Sequence, residues 1–436
     1  MPRPVAMAPL SFRVQEFNSV VRTTRFANPL SNCHRAQICH YNSVAHFSDR
    51  HGTCNRRAFL RLGATFAAAS PFALALPRVF GETNPLSAEA RAKAKVALVS
   101  CPGYGPEVKA ALGQSFELLG GVGKLVRNKT VTVKVNLTGT DFSPYLGRPV
   151  GETYMTHGST VMALLALLFD AGAARVRLVE STQSHDDLKT TLDTAGWSVN
   201  AMDTLGKVEY ENTRNLGAGK SYSTLRVPFG GHLFSSFDLN HSYHDTDVMI
   251  SLAKLKRHLT AGVTLSMKNM FGLTPNSLYG SEAGSERATA GRDPLHSSDG
   301  YGSLKMPGLK ADAASNDPFS RVPRIVVDVC AARPIDIAIV DGISAMNVGE
   351  GPWCAQAGPI KVTTPGVLIV GLNPVSTDAV ATAVMGYDPR APRKTRPFEY
   401  CENHLLLAEQ AGLGSADLGQ IEVIGRTIEQ SRYLYD

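Results

Sequence analysis

The chain has 436 residues, 43% hydrophobic and 19% charged, which suits a folded body with a sizeable core and argues against a disordered or membrane-embedded chain. Its formal charge of +6 is uneven: residues 1–75 carry nine Arg, no Lys and two acids, a net of +7, while the other 361 carry 35 basic and 36 acidic side chains, a net of −1. A near-neutral body argues against a nucleic-acid-binding domain, whose folded part shows a basic footprint.

Residues 1–54 have no clear apolar period and are expected to be a disordered or mis-called extension. Asn55-Arg56-Arg57-Ala58-Phe59-Leu60-Arg61 then opens a 14-residue stretch, 62–75, without a charge. A twin arginine before a short run of small and apolar residues resembles a twin-arginine export signal, with Ala73 and Ala75 flanking an A-x-A-like cleavage point. Fourteen residues fall short of the roughly 20 that a helix needs to cross a bilayer. The expectation is export through the twin-arginine translocase to the periplasm or beyond. No stable membrane span is expected after cleavage, and 76–95 should be a linker.

From residue 96 the pattern alternates. Strands are expected at 96–100, 130–137, 175–180, 247–252, 335–340, 366–371 and 421–424, with a short run at 198–202. Helices are expected at 106–119, 158–171, 185–195, 322–332, 376–385 and 403–411. Strands separated by helical stretches indicate βαβ units and a mostly parallel or mixed sheet flanked by helices, an α/β fold, here over 96–425 with a tail at 426–436. Residues 282–320 are rich in Gly, Ser, Ala and Asp with no sustained period, a long irregular central excursion.

In such sheets ligands sit beyond the carboxyl ends of the strands, where several chemically unusual segments fall. Lys134 and Asn136 share one face at the end of a strand. Between Val248 and Ser281 there is no Asp or Glu, yet Lys254, Lys256, Arg257 and Lys268 are all present. An extended Lys254–His258 puts Lys254, Lys256 and His258 on one face and Arg257 on the other. With a helix start expected near Thr260, such a face suits a phosphate or carboxylate, and a solvated basic edge is the competing reading. Lys268 and Asn269 sit among Met267, Met270, Phe271 and Leu273, where a Lys needs a partner or titrates low. The acids at comparable places are Glu180, Asp341, Glu350 and Asp378. Asp341 and Asp378 could hold a divalent metal with backbone carbonyls, although one also reads as a turn former and the other as a first-turn helix residue. His157, opening a helix, reads as a site residue or, more simply, as a cap.

These segments in this order resemble the family called domain of unknown function 362. The resemblance rests on Lys134-Val135-Asn136, on Lys254-Leu255-Lys256-Arg257-His258, and on Lys268-Asn269-Met270-Phe271-Gly272. Val340-Asp341-Gly342 with Gly349-Glu350-Gly351-Pro352 and Gly358 follows, then Asn373-Pro374 through Asp378-Ala379. It departs at Asn373, where the pattern has an acid. The family name implies no activity; some members accompany iron–sulfur modules, which implies a redox setting.

Cys101, Cys330, Cys354 and Cys401 remain beyond the leader, and no pair has C-x2-C spacing, so the usual local ferredoxin motif is missing. Cys330 with Cys354 is the expected disulfide if one forms. Gly120-Gly121-Val122-Gly123 precedes a strand instead of following one, unlike a dinucleotide fingerprint. The expected function is binding of a small anionic ligand or cofactor by Lys134, Asn136, Lys254, Lys256, His258, Lys268 and Asn269, with a redox role as one version. A non-catalytic periplasmic binding or assembly protein and a metal-dependent hydrolase or transferase are the alternatives. Anion affinity is expected to rise as pH falls through the histidine range.

Overall fold

Eight short runs of alternating or continuous apolar residues pair into one sheet. They are β1 (Ala94–Ser100), β2 (Thr130–Lys134), β3 (Arg175–Glu180), β4 (Val208–Asn212), β5 (Val248–Lys254), β6 (Ile337–Gly342), β7 (Val367–Gly371) and β8 (Ile421–Gly425). Their order is β8-β1-β7-β6-β5-β2-β3-β4. Only β7 is reversed, pairing antiparallel with β1 and β6, and all other neighbours are parallel. The computed structural model describes residues 93–296, 305–311, 313 and 317–435, all within the compact unit Thr83–Asp436. The expected leader, with Arg56, Arg57, Ala73 and Ala75, lies outside the described residues, as do 1–54 and most of 76–95.

Central strands bury both faces, as parallel strands covered by helices must. All seven positions of β5, VMISLAK, are buried. Period-two alternation then divides the apolar side chains between two cores: Ile337 and Ile339 of β6 join one, Ala338 and Val340 the other. The first core packs against α1 (Glu107–Leu118) and α2 (Gly158–Asp170), and the second against α3 (Pro318–Ala332) and α4 (Pro374–Val384). Local chemistry sets the helix starts. His157 Nδ1 accepts from the Ser159 N–H, so this histidine is a cap. Asn373 accepts from the Ser376 N–H with Pro374 in the first turn; an Asn caps about as well as an Asp, which accounts for the departure at that position.

Three local expectations change. The run at 198–202 is helical, Val199–Asp203, and the half-exposed edge strand β4 carries no apolar signal to announce it. No helix starts near Thr260: Arg257–His258 pairs instead with Gly262–Val263, and the helix runs Leu265–Asn269. Cys330 and Cys354 do not form the expected disulfide. All four described cysteines are free, the Cys330 thiol facing the Met267 carbonyl while Cys354 Sγ accepts from the Glu350 N–H. The described part of the central excursion includes a helical turn at Asp293–His296. Among the described residues no helix is long and apolar enough to cross a membrane.

Candidate functional site

Parallel pairing sets the carboxyl ends of β6, β5, β2 and β3 side by side. Register places Asp341 opposite Lys254 and Lys134 opposite Val179, one residue before Glu180. Three groupings follow from that layout.

The first is a closed ion pair. Lys254 Nζ lies 3.3 Å from Asp341 Oδ2, and neither side chain is exposed. Lys254 also donates to the Tyr104 hydroxyl at 2.7 Å and to the Gly151 carbonyl at 2.9 Å. Asp341 takes further hydrogen bonds from Tyr104, Thr160 and the Ile343 N–H. The Tyr104 ring stacks on His157 at 3.7 Å. Burial lowers the Lys254 pKa and Asp341 pulls it back, so this is a satisfied structural pair.

The second joins β2 to β3. Lys134 Nζ lies 2.7 Å from Glu180 Oε1, with both side chains 2% exposed. Lys134 donates also to the Val135 carbonyl and to Asn269 Oδ1, which Asn136 Nδ2 shares at 3.3 Å. The second Glu180 oxygen takes the Leu137 N–H at 2.7 Å. Asn269 returns a hydrogen bond to Ser251 Oγ at 3.0 Å. The glycine of the KNMFG segment has a steric reason: a Cβ on Gly272 would stand 2.9 Å from Lys134 Nζ.

The third is not balanced. Lys256 is fully buried and donates to the Gly349 carbonyl at 2.8 Å. Gly349 adopts φ +97°, a left-handed conformation natural to glycine, and the next residue is Glu350. Glu350 Oε1 lies 2.8 Å from His258 Nε2 and 3.4 Å from Lys268 Nζ. His258 Nδ1 accepts from the Thr260 N–H, so Nε2 carries the proton and donates to the carboxylate. Lys268 sits 4.4 Å from the centre of the Phe271 ring. Arg292 and His296 join from the central excursion. Arg292 donates to the Thr274 and Gly272 carbonyls, and His296 Nδ1 donates to the Arg292 carbonyl at 2.9 Å.

Burial dominates the proton affinities here. It pushes Lys256 down to about 8 and, with the help of Lys268, His258 down to about 3. Burial alone would raise the pKa of Glu350. The hydrogen bond from His258 and the ammonium of Lys268 outweigh it and hold the carboxyl well below its usual range. The imidazole therefore stays neutral across the range in which histidine ordinarily titrates, and Lys256 replaces it as the group whose charge changes near neutral pH.

Lys134, Lys256, Lys268 and Arg292 face Glu180 and Glu350, four cations against two carboxylates. Neither Lys256 nor Arg292 has a carboxylate within 4 Å among the described residues. The side chain of Glu350 is 28% exposed, which opens the group to solvent. By contrast a cleft of about 460 Å³, lined by Gly120, Gly121, Gly123, Lys124 and Arg127, lies at the amino end of β2 and contains none of these residues.

Asp341 and Asp378, the expected metal pair, serve separate networks. Asp378 Oδ1 takes the Ser266 N–H and hydroxyl at 2.9 and 2.6 Å, and Oδ2 takes the Met267 N–H at 2.8 Å. These bonds hold the residues that follow Leu265, whose φ of +46° is strained for a branched side chain, and so fix the helix that carries Lys268. A different trio has the spacing for a cation: ligand atoms of His258, His296 and Glu350 all lie within 4.8 Å of one another. No cysteine belongs to that group. Sequence reasoning missed Tyr104, Arg292 and His296, and only the absence of periodicity around 282–320 marked that stretch as unusual.

A thylakoid-associated protein of Synechocystis sp. (strain ATCC 27184 / PCC 6803 / Kazusa) is 25% identical over 283 residues, 64% of this chain and 70% of its own. The family model described as domain of unknown function (DUF362) matches residues 131–383, a span that contains the carboxyl ends of β2 through β7. The segments that converge on the Lys134–Glu180, Lys254–Asp341 and Lys256–Glu350 groups are thus the matched ones, and the chain belongs to the DUF362 family.

Proposed function

We propose that this protein binds a small anion at the group formed by Lys256, Lys268 and Arg292, with Glu350 and His258 at its edge. The observation that supports this reading is the charge balance: two buried or half-buried cations have no carboxylate within ion-pair distance among the described residues. An isolated charge is costly to bury, and proteins normally pair such groups. An anionic ligand supplies the missing charge. Lys134 and Lys254, which the sequence groups with the others, already have carboxylate partners, so their part is to brace the strand ends. Asn136 and Asn269 brace the floor between them.

The leader residues 55–75 support a second element of the proposal, that the folded protein works outside the cytoplasm after twin-arginine export. An anion-binding body delivered there is a capture protein or an enzyme acting on an anionic substrate, and the site serves either.

Thermal unfolding of the purified full-length protein in phosphate, sulfate, acetate and chloride at matched ionic strength tests the binding reading. At least one oxyanion should raise the melting temperature over chloride, and Lys268→Met should abolish the increment. No increment from any of them contradicts the proposal.

A further inference from the structure

The group contains a buried hydrogen-bond acceptor that its cations leave unsatisfied. His296 donates from Nδ1 to the Arg292 carbonyl, which leaves Nε2 as a bare acceptor; this atom is buried and has no partner among the described residues. Glu350 Oε1 receives His258 and Lys268, whereas no described residue donates to Oε2. His296 and Glu350 belong, with His258, to the trio in which one ligand atom of each residue lies within 4.8 Å of the others. A buried lone pair left bare is costly, and a proton, a cation or a donor from a ligand would satisfy it.

The surroundings decide among these three. A proton on His296 is disfavoured first by burial and also by Lys268, although Glu350 pulls the other way. A divalent cation would add two positive charges beside Lys268, in a region that already holds two more cations than carboxylates. A ligand that brings an O–H together with negative charge donates to the buried acceptor and places its charge among the three cations at once.

Resting on the anion-binding reading above, we propose that the ligand is a protonated oxyanion of the hydrogen-phosphate kind. Its O–H is accepted by His296 Nε2 or Glu350, and its charged oxygens are held by Lys256, Lys268 and Arg292. A site built around a buried acceptor rejects an analogue without the donor, because that acceptor is then left facing an anionic oxygen. Sulfate is that analogue, similar to phosphate in size and shape but without a proton at neutral pH.

The test is calorimetric titration of inorganic phosphate and of sulfate into the full-length protein at neutral pH, repeated with His296→Phe and Glu350→Gln. Phosphate should bind at least about tenfold more tightly than sulfate. His296→Phe removes one acceptor and should narrow that ratio. Glu350→Gln converts an acceptor into a donor and should narrow it through tighter sulfate binding. Circular dichroism melting of each variant separates lost folding from lost selectivity. Equal affinity for the two anions, or a preference for sulfate, overturns the inference and leaves anion binding standing. Binding of neither anion overturns both. Micromolar uptake of Zn²⁺ or Mn²⁺ that His296→Phe abolishes overturns the inference in favour of a metal on the trio.

Discussion

Lys256 donates to the carbonyl oxygen of Gly349 at 2.8 Å and has no carboxylate within ion-pair distance among the described residues. Its neighbour two positions back, Lys254, is equally buried but sits 3.3 Å from Asp341. The two lysines share one face of one extended segment, so sequence alone gives them the same role. Structure separates them into a lysine paired with a carboxylate and one held by a backbone carbonyl, which the proposal assigns to the anion.

That separation has opposite consequences for stability. Asp341→Ala leaves the Lys254 ammonium buried without its partner and should cost about 3–5 kcal/mol. Lys256→Met removes a buried charge that has no ion-pair partner while keeping the volume, and should stabilise the ligand-free protein by about 1–3 kcal/mol. Urea unfolding of both variants reads the two signs directly.

Proton linkage gives a second expectation. The folded pKa of Lys256, about 8, lies below the unfolded value near 10.4. Between those two values the unfolded chain binds more protons than the folded one. Stability of the ligand-free protein should therefore rise with pH across that window, by up to about 1.4 kcal/mol per unit for one group. Lys134, Lys254 and Lys268 are shifted downward by burial in the same sense. Anion affinity should run the other way, falling as Lys256 loses its proton above about pH 8. Phosphate titrations from about pH 8 to about pH 10 should show that decline, and Lys256→Met should flatten it. A decline centred in the histidine range instead would return the titration to His258.

The Asp378 carboxylate should matter through position. Asp378→Ala releases the Ser266 and Met267 N–H groups next to the left-handed Leu265, at a cost of about 2–3 kcal/mol. Because the same helix carries Lys268, phosphate affinity should weaken as well. Retained affinity in a folded Asp378→Ala protein would show that the helix needs no such tie.

Much of the fold was legible because the body obeys simple periods. Arg175–Glu180 is a strand at the residues where alternation begins and ends, and the helices opened by Pro318 and Pro374 carry the expected apolar faces. Edge strand β4 was not legible, since VEYEN is half-exposed and has no apolar stripe. The helix expected near Thr260 starts five residues later because Gly262, at φ +76°, turns the chain back on Arg257–His258 first. At the site, the lysines and His258 stood out by their unusual company. Their partners did not, because the pairing of Lys134 with Glu180 depends on which strands become neighbours. Arg292 and His296 come from a segment without periodicity, and nothing local announces that it folds back over the strand ends.

Export makes a separate claim. Replacing Arg56 and Arg57 together by Lys should leave the protein in the cytoplasm, because the twin arginine is read by a receptor and a lysine pair is not equivalent. Fractionation that still finds a cleaved form outside the cytoplasm would remove the twin-arginine assignment.

The most direct test of the central claim, that an anion completes the charge balance around Lys256, is the melting temperature of the wild type and of Lys256→Met, each with and without phosphate. Without phosphate the variant should melt higher than the wild type. Saturating phosphate should raise the wild type and leave the variant nearly unchanged. A variant that melts lower without phosphate, beside a wild type that phosphate does not stabilise, would show that Lys256 is a structural lysine and that no anion belongs there.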